Sequence, residues 1–380
     1  MERAMISVAM NGSMLDEQPT GVGIYSFNLI NNLSKFNTES WKQLTVFTPT
    51  YSYLSKNIRV VKLSRFLQSS KYGKWAAFCR FMWNTFYYPF PGSKFDLLIS
   101  PTTHGSFFLR NQVITIHDLL SLRYKNISAH QRFYFKFLLP VMLSRAKCII
   151  AVSEATKKDI LHFFKCPESK VKVIYNGYDH SRYYYTEDNN NQIYHEYGVE
   201  DYLLAVGPTY PHKNFETLIA AYRGLSETIK RKHPLVIAGG KKTYVERLKA
   251  LVKECQLESR VHFLGYVPAQ LMPGLYREAT ALVFPSLYEG FGFPLLEAMA
   301  CGCPVISSNT SSMPEVCGNA AIYFNPSDKS SLASAIEKLM YNEHIKHYLR
   351  EQGLEQVKKF SWEQTARSFI NLIDNQIQSN

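Results

Sequence analysis

Apolar residues fall along this chain in short runs, each closed by a polar or Gly-bearing turn, and the stretches between them repeat at helical spacing. In the first half the runs are MISVAM (5–10), QLTVFTP (43–49), DLLIS (96–100), QVITIHD (112–118), CIIAVS (148–153) and VKVIYNG (171–177). A second series follows with YLLAVG (202–207), LVIAG (235–239), RVHFLGYV (260–267), ATALVFPS (279–286), PVISS (304–308) and AIYFN (321–325). Helical segments such as NFETLIAAYRGL and YVERLKALVKECQ separate them. Strands alternating with helices predict an α/β fold with parallel sheets. The pattern breaks over 178–199, which is rich in Asn and Tyr, and this stretch is expected to link two doubly wound domains. Open parallel sheets collect ligands at the carboxyl ends of their strands, so His117, Asp118, Ser153 and Asn176 stand at an edge suited to a cleft.

A length of 380 residues suits two domains, each able to bury its own core, and 46% hydrophobic with 19% charged residues excludes extensive disorder. No repeat of solenoid period is visible. Charge changes the picture by its placement. Residues 1–180 hold 23 Lys/Arg against 10 Asp/Glu, whereas the remainder is close to neutral, so the front half is expected to meet something anionic. No apolar run approaches the ~20 residues of a membrane span. The opening MERAMISVAMNGSM lacks a secretory signal, and a cytoplasmic chain is expected, at most peripheral on the inner face of a membrane. Seven Cys show no zinc spacing; Cys301 and Cys303 flank one Gly, one residue short of CxxC, and read as reduced structural thiols. The GVG at 21–23 is too short for a dinucleotide fingerprint and no GxxxxGK[ST] occurs, which discards NAD and P-loop chemistry.

The densest chemistry lies in 286-SLYEGFGFPLLEAMACGCPVISS-308. A strand ends near Ser286, a loop carries Glu289, Gly290 and Gly292, and Pro294 stands where a helix would begin, with Gly302 closing it. A helix N-terminus at a strand edge suits the anionic diphosphate of an elongated ligand. Glu289 on the loop and Glu297 in the first turn offer carboxylates to sugar hydroxyls at either end of such a ligand.

This stretch resembles the Glu-x7-Glu motif of the family 4 retaining glycosyltransferases. Six further segments stand in the order that family shows: 20-TGVGIYSFNL-29, 115-TIHDL-119, 149-IIAVSEATKKDI-160, 173-VIYNGYD-179, 205-AVGPTYPHKN-214 and 361-SWEQTA-366. The resemblance covers nearly the whole chain. It implies a GT-B architecture of two facing Rossmann-like domains: 1–185 binding acceptor, 186–360 binding nucleotide sugar, and a C-terminal helix over 361–380 returning to the first.

The resemblance also implies roles. Glu297 would hold the ribose hydroxyls, Glu289 the hydroxyls of the transferred sugar, and the amides of Phe291, Gly292, Phe293, Pro294 and Leu295 the sugar and diphosphate. Lys213 would neutralise the departing diphosphate. Gly21 and Gly23 would let backbone approach it closely, His117 would sit by the transferred sugar or acceptor hydroxyl, Gly207 would join the donor site, and Gly265, Tyr266 and Val267, with Tyr276, would surround the base. The catalytic set is thus Glu289, His117 and Lys213. Where the family usually shows Arg-Lys, this chain reads His212-Lys213, and Pro208 stands where some members carry a further Arg. His212 could grip phosphate only if protonated or through a neutral N–H; alternatively Arg277 or Lys241 contributes. With no DxD present, the expectation is chemistry without a divalent metal or other cofactor.

Over 62–90, KLSRFLQSSKYGKWAAFCRFMWNTFYYPF mixes Arg65, Lys71, Lys74 and Arg80 with Trp75, Phe78, Phe81, Trp83 and Phe86. That mixture suits anionic lipid, and it equally suits a core face backed by solvated cations. The resemblance is strongest to bacterial enzymes building surface polysaccharide. It implies transfer of a hexose, mannose from GDP-mannose before glucose or N-acetylglucosamine from UDP, to a glycan or polyprenyl-diphosphate-linked acceptor. An inactive partner subunit is a rival. A single-strand nucleic-acid binder is another, but it lacks a recognised module and leaves the two Glu unexplained.

Overall fold

The computed structural model describes residues 5–17, 21–36, 41, 43–50, 54–124, 127–188, 191–207, 210–240 and 242–378. Thr20, Pro208 and Lys241, named above, lie outside them. The chain forms two compact units, Met1–Gly177 with Trp362–Asn380, and Tyr178–Ser361.

The first unit holds seven parallel strands: β1 (Val8–Asn11), β2 (Thr45–Thr48), β3 (Arg59–Lys62), β4 (Leu97–Ser100), β5 (Gln112–Ile116), β6 (Cys148–Ala151) and β7 (Val171–Val173). Their order in the sheet is β3-β2-β1-β4-β5-β6-β7. Ala9 of the central β1 faces Thr45 on one side and Leu98 on the other, so the order reverses beside β1. Every residue of β1, β2, β4, β5 and β6 is buried, as expected of parallel strands covered on both faces. That is why they read as continuous apolar runs. The exception, β3, is an edge strand whose RVVK is mostly exposed and flanked by charge, and no apolar run marks it. The helix Trp362–Gln378 packs on the helix Gly21–Leu33 and buries Trp362, Ala366, Phe369 and Ile373, spaced at helical period. Thr365 donates from Oγ1 to the carbonyl of Tyr175 at 2.8 Å and ties this helix to the end of the first unit's chain.

In the second unit β8 (Leu203–Val206), β9 (Leu235–Ala238), β10 (Val261–Gly265), β11 (Ala281–Phe284), β12 (Val305–Ser308) and β13 (Ala321–Phe324) lie parallel in the order β10-β9-β8-β11-β12-β13. The reversal here falls between β8 and β11, paired through Leu204 and Leu282. One face of the sheet is covered by Phe215, Leu218 and Tyr222 from the helix Phe215–Gly224 and by Leu332, Ile336 and Leu339 from the helix Lys329–Met340.

The stretch 178–199 is not a linker. Tyr178 and Tyr183 are buried, Tyr183 meets Tyr276 edge-on at 6.1 Å, and Gln192–Tyr197 is helical. Its Tyr-rich composition is that of a strap held by ring contacts on the second unit, so the boundary stands at Gly177/Tyr178 rather than at 185/186. No described helix is long and apolar enough to cross a membrane.

Candidate active site

The site of the second unit forms where its strand order reverses, the position at which open α/β sheets bind ligands. After β8 the chain passes Gly207, at φ +81°, and reaches a tight turn at Pro211–Lys213. After β11 it runs through Pro285–Gly292 into the helix Phe293–Ala300. The two loops are stitched together: Leu287 N–H donates to the His212 carbonyl at 2.8 Å, and Asn214 Nδ2 donates to the carbonyls of Pro285 at 3.0 Å and Pro326 at 2.8 Å. Asn214 does this from a left-handed backbone at φ +61°, which Asn tolerates better than most residues.

This stitching brings Lys213 and Glu289 together across 76 positions of sequence. Lys213 Nζ lies 2.6 Å from Glu289 Oε1, which also accepts from Ser286 Oγ at 2.6 Å. Both side chains are largely shielded, and the Lys213 ammonium stands 5.8 Å over the Phe284 ring. A carboxylate able to accept sugar hydroxyls thus sits beside an ammonium able to take a phosphate oxygen. The loop carrying Glu289 is clamped from behind by three hydroxyls that sequence reading did not single out. Thr310 Oγ1 donates to the Leu287 carbonyl, Ser311 Oγ to that of Glu289 at 2.6 Å, and Ser312 Oγ to those of Glu289 and Phe291 at 3.0 and 2.9 Å.

Gly292 precedes the helix as its N-cap at φ +100°, where an added Cβ would meet Leu295 Cδ1 at 3.0 Å. The helix starts at Phe293, so Pro294 is its second residue. The expected run of donating amides from Phe291 to Leu295 is shorter than thought: Pro294 has no N–H, and that of Leu295 donates to the Gly292 carbonyl at 3.0 Å. Phe291 packs at 5.7 Å on Phe293 and 5.9 Å on Phe360. Gly302 closes the helix as expected, at φ +75°, with its own N–H on Met299 O and that of Cys303 on Ala298 O.

Glu297 is the fifth residue of this helix, past the first turn expected for it because the helix starts at Phe293, and it accepts from Tyr276 OH at 2.8 Å. Burial pushes its carboxyl up to about 7, against the opposing pull of hydrogen bonds from Tyr276 and Tyr183. Tyr276 is fully buried and is held to Glu297 by this bond. Among the other expected base contacts, Tyr266 is 84% exposed, Val267 is buried, and Gly265 ends β10 at φ +67°.

Burial pushes the His212 imidazole down to about 4, ahead of the opposing pull of Glu289, which favours the neutral N–H option over the protonated one; the ring stacks on Tyr210. Arg277 is no substitute. It precedes β11, at the opposite edge of the sheet from Lys213, and lies over the Tyr184 ring.

In the first unit His117 follows β5. Its Nε2 lies 2.9 Å from the Pro101 carbonyl, which can only accept, so Nε2 carries the proton and Nδ1 the lone pair. Burial pushes this ring also down to about 4. Tyr25 meets it edge-on at 4.6 Å, and Tyr25 belongs to the helix Gly21–Leu33, so His117 and the Gly21–Gly23 segment are brought together. Gly21 and Gly23 are the first and third residues of that helix, and neither has positive φ. An added Cβ on Gly21 would meet nothing within 4 Å, leaving its surface open. Ser153 caps the helix Glu154–Phe163, accepting from Thr156 N–H at 3.0 Å, and Asp118 accepts from Leu120 N–H at 3.0 Å, turning the chain into the helix Leu120–Arg123.

Residues 19–182 match the family model described as Glycosyltransferase Family 4, and 186–356 that described as Glycosyl transferases group 1. The chain is 36% identical to the O-antigen chain mannosyltransferase RfbU of Salmonella typhimurium over 64% of either protein. It is 31% identical to the O-antigen chain mannosyltransferase B of Escherichia coli over 69% of this chain and 70% of that one. The matched stretches thus span about two thirds of those relatives' length. Among solved structures, sucrose-phosphate synthase from Thermosynechococcus elongatus superposes with a TM-score of 0.73 at 20% identity, covering 98% of this chain and 99% of that one. Anabaena HepE in complex with UDP and glucose gives 0.72 at 16%, covering 97% and 100%.

Proposed function

From the premise that this chain belongs to the family 4 glycosyltransferases, with a group 1 domain as its second unit, we propose that it transfers mannose from GDP-mannose to a hydroxyl of a glycan or polyprenyl-diphosphate-linked acceptor in surface polysaccharide synthesis. The observation that carries the reading is the Lys213–Glu289 contact at the sheet's reversal point, beside the start of the Phe293–Ala300 helix. Mannose is favoured because the two O-antigen relatives above are named mannosyltransferases.

Reaction proceeds with retention. The bond between the anomeric carbon and the phosphate oxygen breaks, and the acceptor hydroxyl bonds to the same face. Its proton passes to the departing phosphate. Lys213 and the helix N-terminus stabilise the charge gathering on that phosphate, so no divalent metal is required. Glu289 orients the sugar through its hydroxyls, and Glu297 holds the ribose. His117, neutral and with Nδ1 as acceptor, takes a hydrogen bond from a sugar or acceptor hydroxyl. The enzyme works at the cytoplasmic face of the membrane, its first unit touching anionic lipid through the 62–90 segment.

Calorimetry with GDP, UDP and dTDP in the presence of EDTA, followed by nucleotide release from their sugars with a polyprenyl-diphosphate-linked acceptor, tests this reading. GDP binding in EDTA with turnover of GDP-mannose is expected. Preference for UDP would overturn the donor, a requirement for Mg²⁺ would overturn metal independence, and failure to bind any nucleotide would leave an inactive partner subunit.

A further inference from the structure

We propose that the first unit meets an anionic bilayer through two helical segments, and that the second of them, Ala129–Arg145, carries as much of the contact as the 62–90 segment on which the membrane-facing reading above rests. The first segment, Ser69–Tyr87, exposes Trp75 (62%), Phe78, Met82 and Phe86, each three or four positions from the last. Phe90, just beyond, is 72% exposed. Ala129–Arg145 exposes Phe133 (57%), Phe137 and Val141, again at intervals of four, and Arg145 continues the row. The segments touch through Phe81 and Tyr134, whose rings meet edge-on at 6.2 Å. Phe78 is three positions before Phe81 and Phe137 three after Tyr134, so each row runs beside this contact.

Scattered exposed apolar residues are ordinary on a protein surface; two adjoining aromatic rows are not. Charge identifies what covers them. No Asp or Glu occurs between Glu39 and Asp96 or between Asp118 and Glu154, while Arg65, Lys136 and Arg145 are exposed there, with Lys136 5.4 Å over the Phe137 ring. The acids that do reach the first segment, Asp16 and Glu17, are engaged at its start by Ser70 and Lys71. Aromatic rings with cations, and acids only at one end where Ser70 and Lys71 engage them, match the headgroup region of an anionic leaflet. Two residues weighed for this role from sequence do not serve it. Arg80 is buried and donates to the Leu67 carbonyl, and Trp83 packs on Phe47 and Tyr88.

The test is flotation of the full chain with vesicles of phosphatidylcholine, with and without phosphatidylglycerol, for wild type, Trp75→Ser/Phe78→Ser and Phe133→Ser/Phe137→Ser. Wild type is expected to bind the anionic vesicles and to release them at high salt. Each double variant is expected to bind about tenfold more weakly, with nucleotide affinity by calorimetry unchanged. Unaltered binding of the Phe133→Ser/Phe137→Ser variant would overturn the role of the second segment. Absence of vesicle binding, with a dimer by analytical ultracentrifugation that these substitutions dissociate, would assign the face to a second copy. The nucleotide measurement keeps failure here separate from failure of the proposed reaction.

Discussion

Lys213 and Glu289 share one contact but are expected to fail differently when replaced. Lys213→Ala removes the positive charge from the departing diphosphate, and turnover is expected to fall about 10²- to 10³-fold with weaker nucleotide binding. Glu289→Ala removes a sugar contact, so turnover falls sharply while GDP affinity, read by calorimetry, changes little; loss of GDP binding would show its role to be misassigned. Glu297 gives a pH dependence of known sign. Its carboxyl titrates near 7, so the ionised form, the stronger acceptor for ribose hydroxyls, gains as pH rises. GDP affinity is expected to increase from about pH 6 to about pH 8, and Glu297→Gln to flatten that part of the slope. Since the nucleotide's own titration persists in both proteins, parallel slopes would refute the assignment.

At the scale of elements, the proposed catalysis depends on two loops held by groups outside them. Ser311 and Ser312 donate to the carbonyls of the Glu289 loop, and Ser312 is fully buried. Replacing both by Ala leaves those carbonyls without these donors, at about 1–3 kcal/mol. Turnover is expected to drop about tenfold, with a lowered Tm by calorimetry. Unchanged turnover would mean the loop holds its shape without them. Gly302 shows why the helix must end where it does: beyond its positive φ, an added Cβ would lie 2.5 Å from Tyr185 Cδ2, so the Tyr strap and the helix end are fitted to one another.

For the whole molecule, the chain's end belongs with its beginning. The helix Trp362–Gln378 supplies Phe369 and Ile373 to the first unit's core, and Trp362 meets Tyr25 at 5.7 Å. Truncation after Ser361 is expected to destabilise the first unit selectively, seen by limited proteolysis as cleavage within 5–177 while 178–361 resists. Equal resistance of both units would sink this view. Because Tyr25 also packs on His117, the truncation disturbs a catalytic candidate remote from it in sequence.

Every strand except β3 was legible as an apolar run, most plainly those buried throughout, because a parallel strand covered on both faces has no polar alternation to hide it. The Glu-x7-Glu segment, its helix and the closing Gly302 were legible too, since local turn chemistry dictates them. The rest depended on which loops the sheets bring together. Strand order sets Lys213 against Glu289, burial holds His212 and His117 neutral, and ring packing makes a strap of 178–199 where composition suggested a linker. Helix packing likewise buries Arg80 while exposing Phe133 and Phe137. Contacts between residues so distant in the chain leave no periodicity behind, and the cost of desolvating a charge is set by neighbours that only the folded chain supplies.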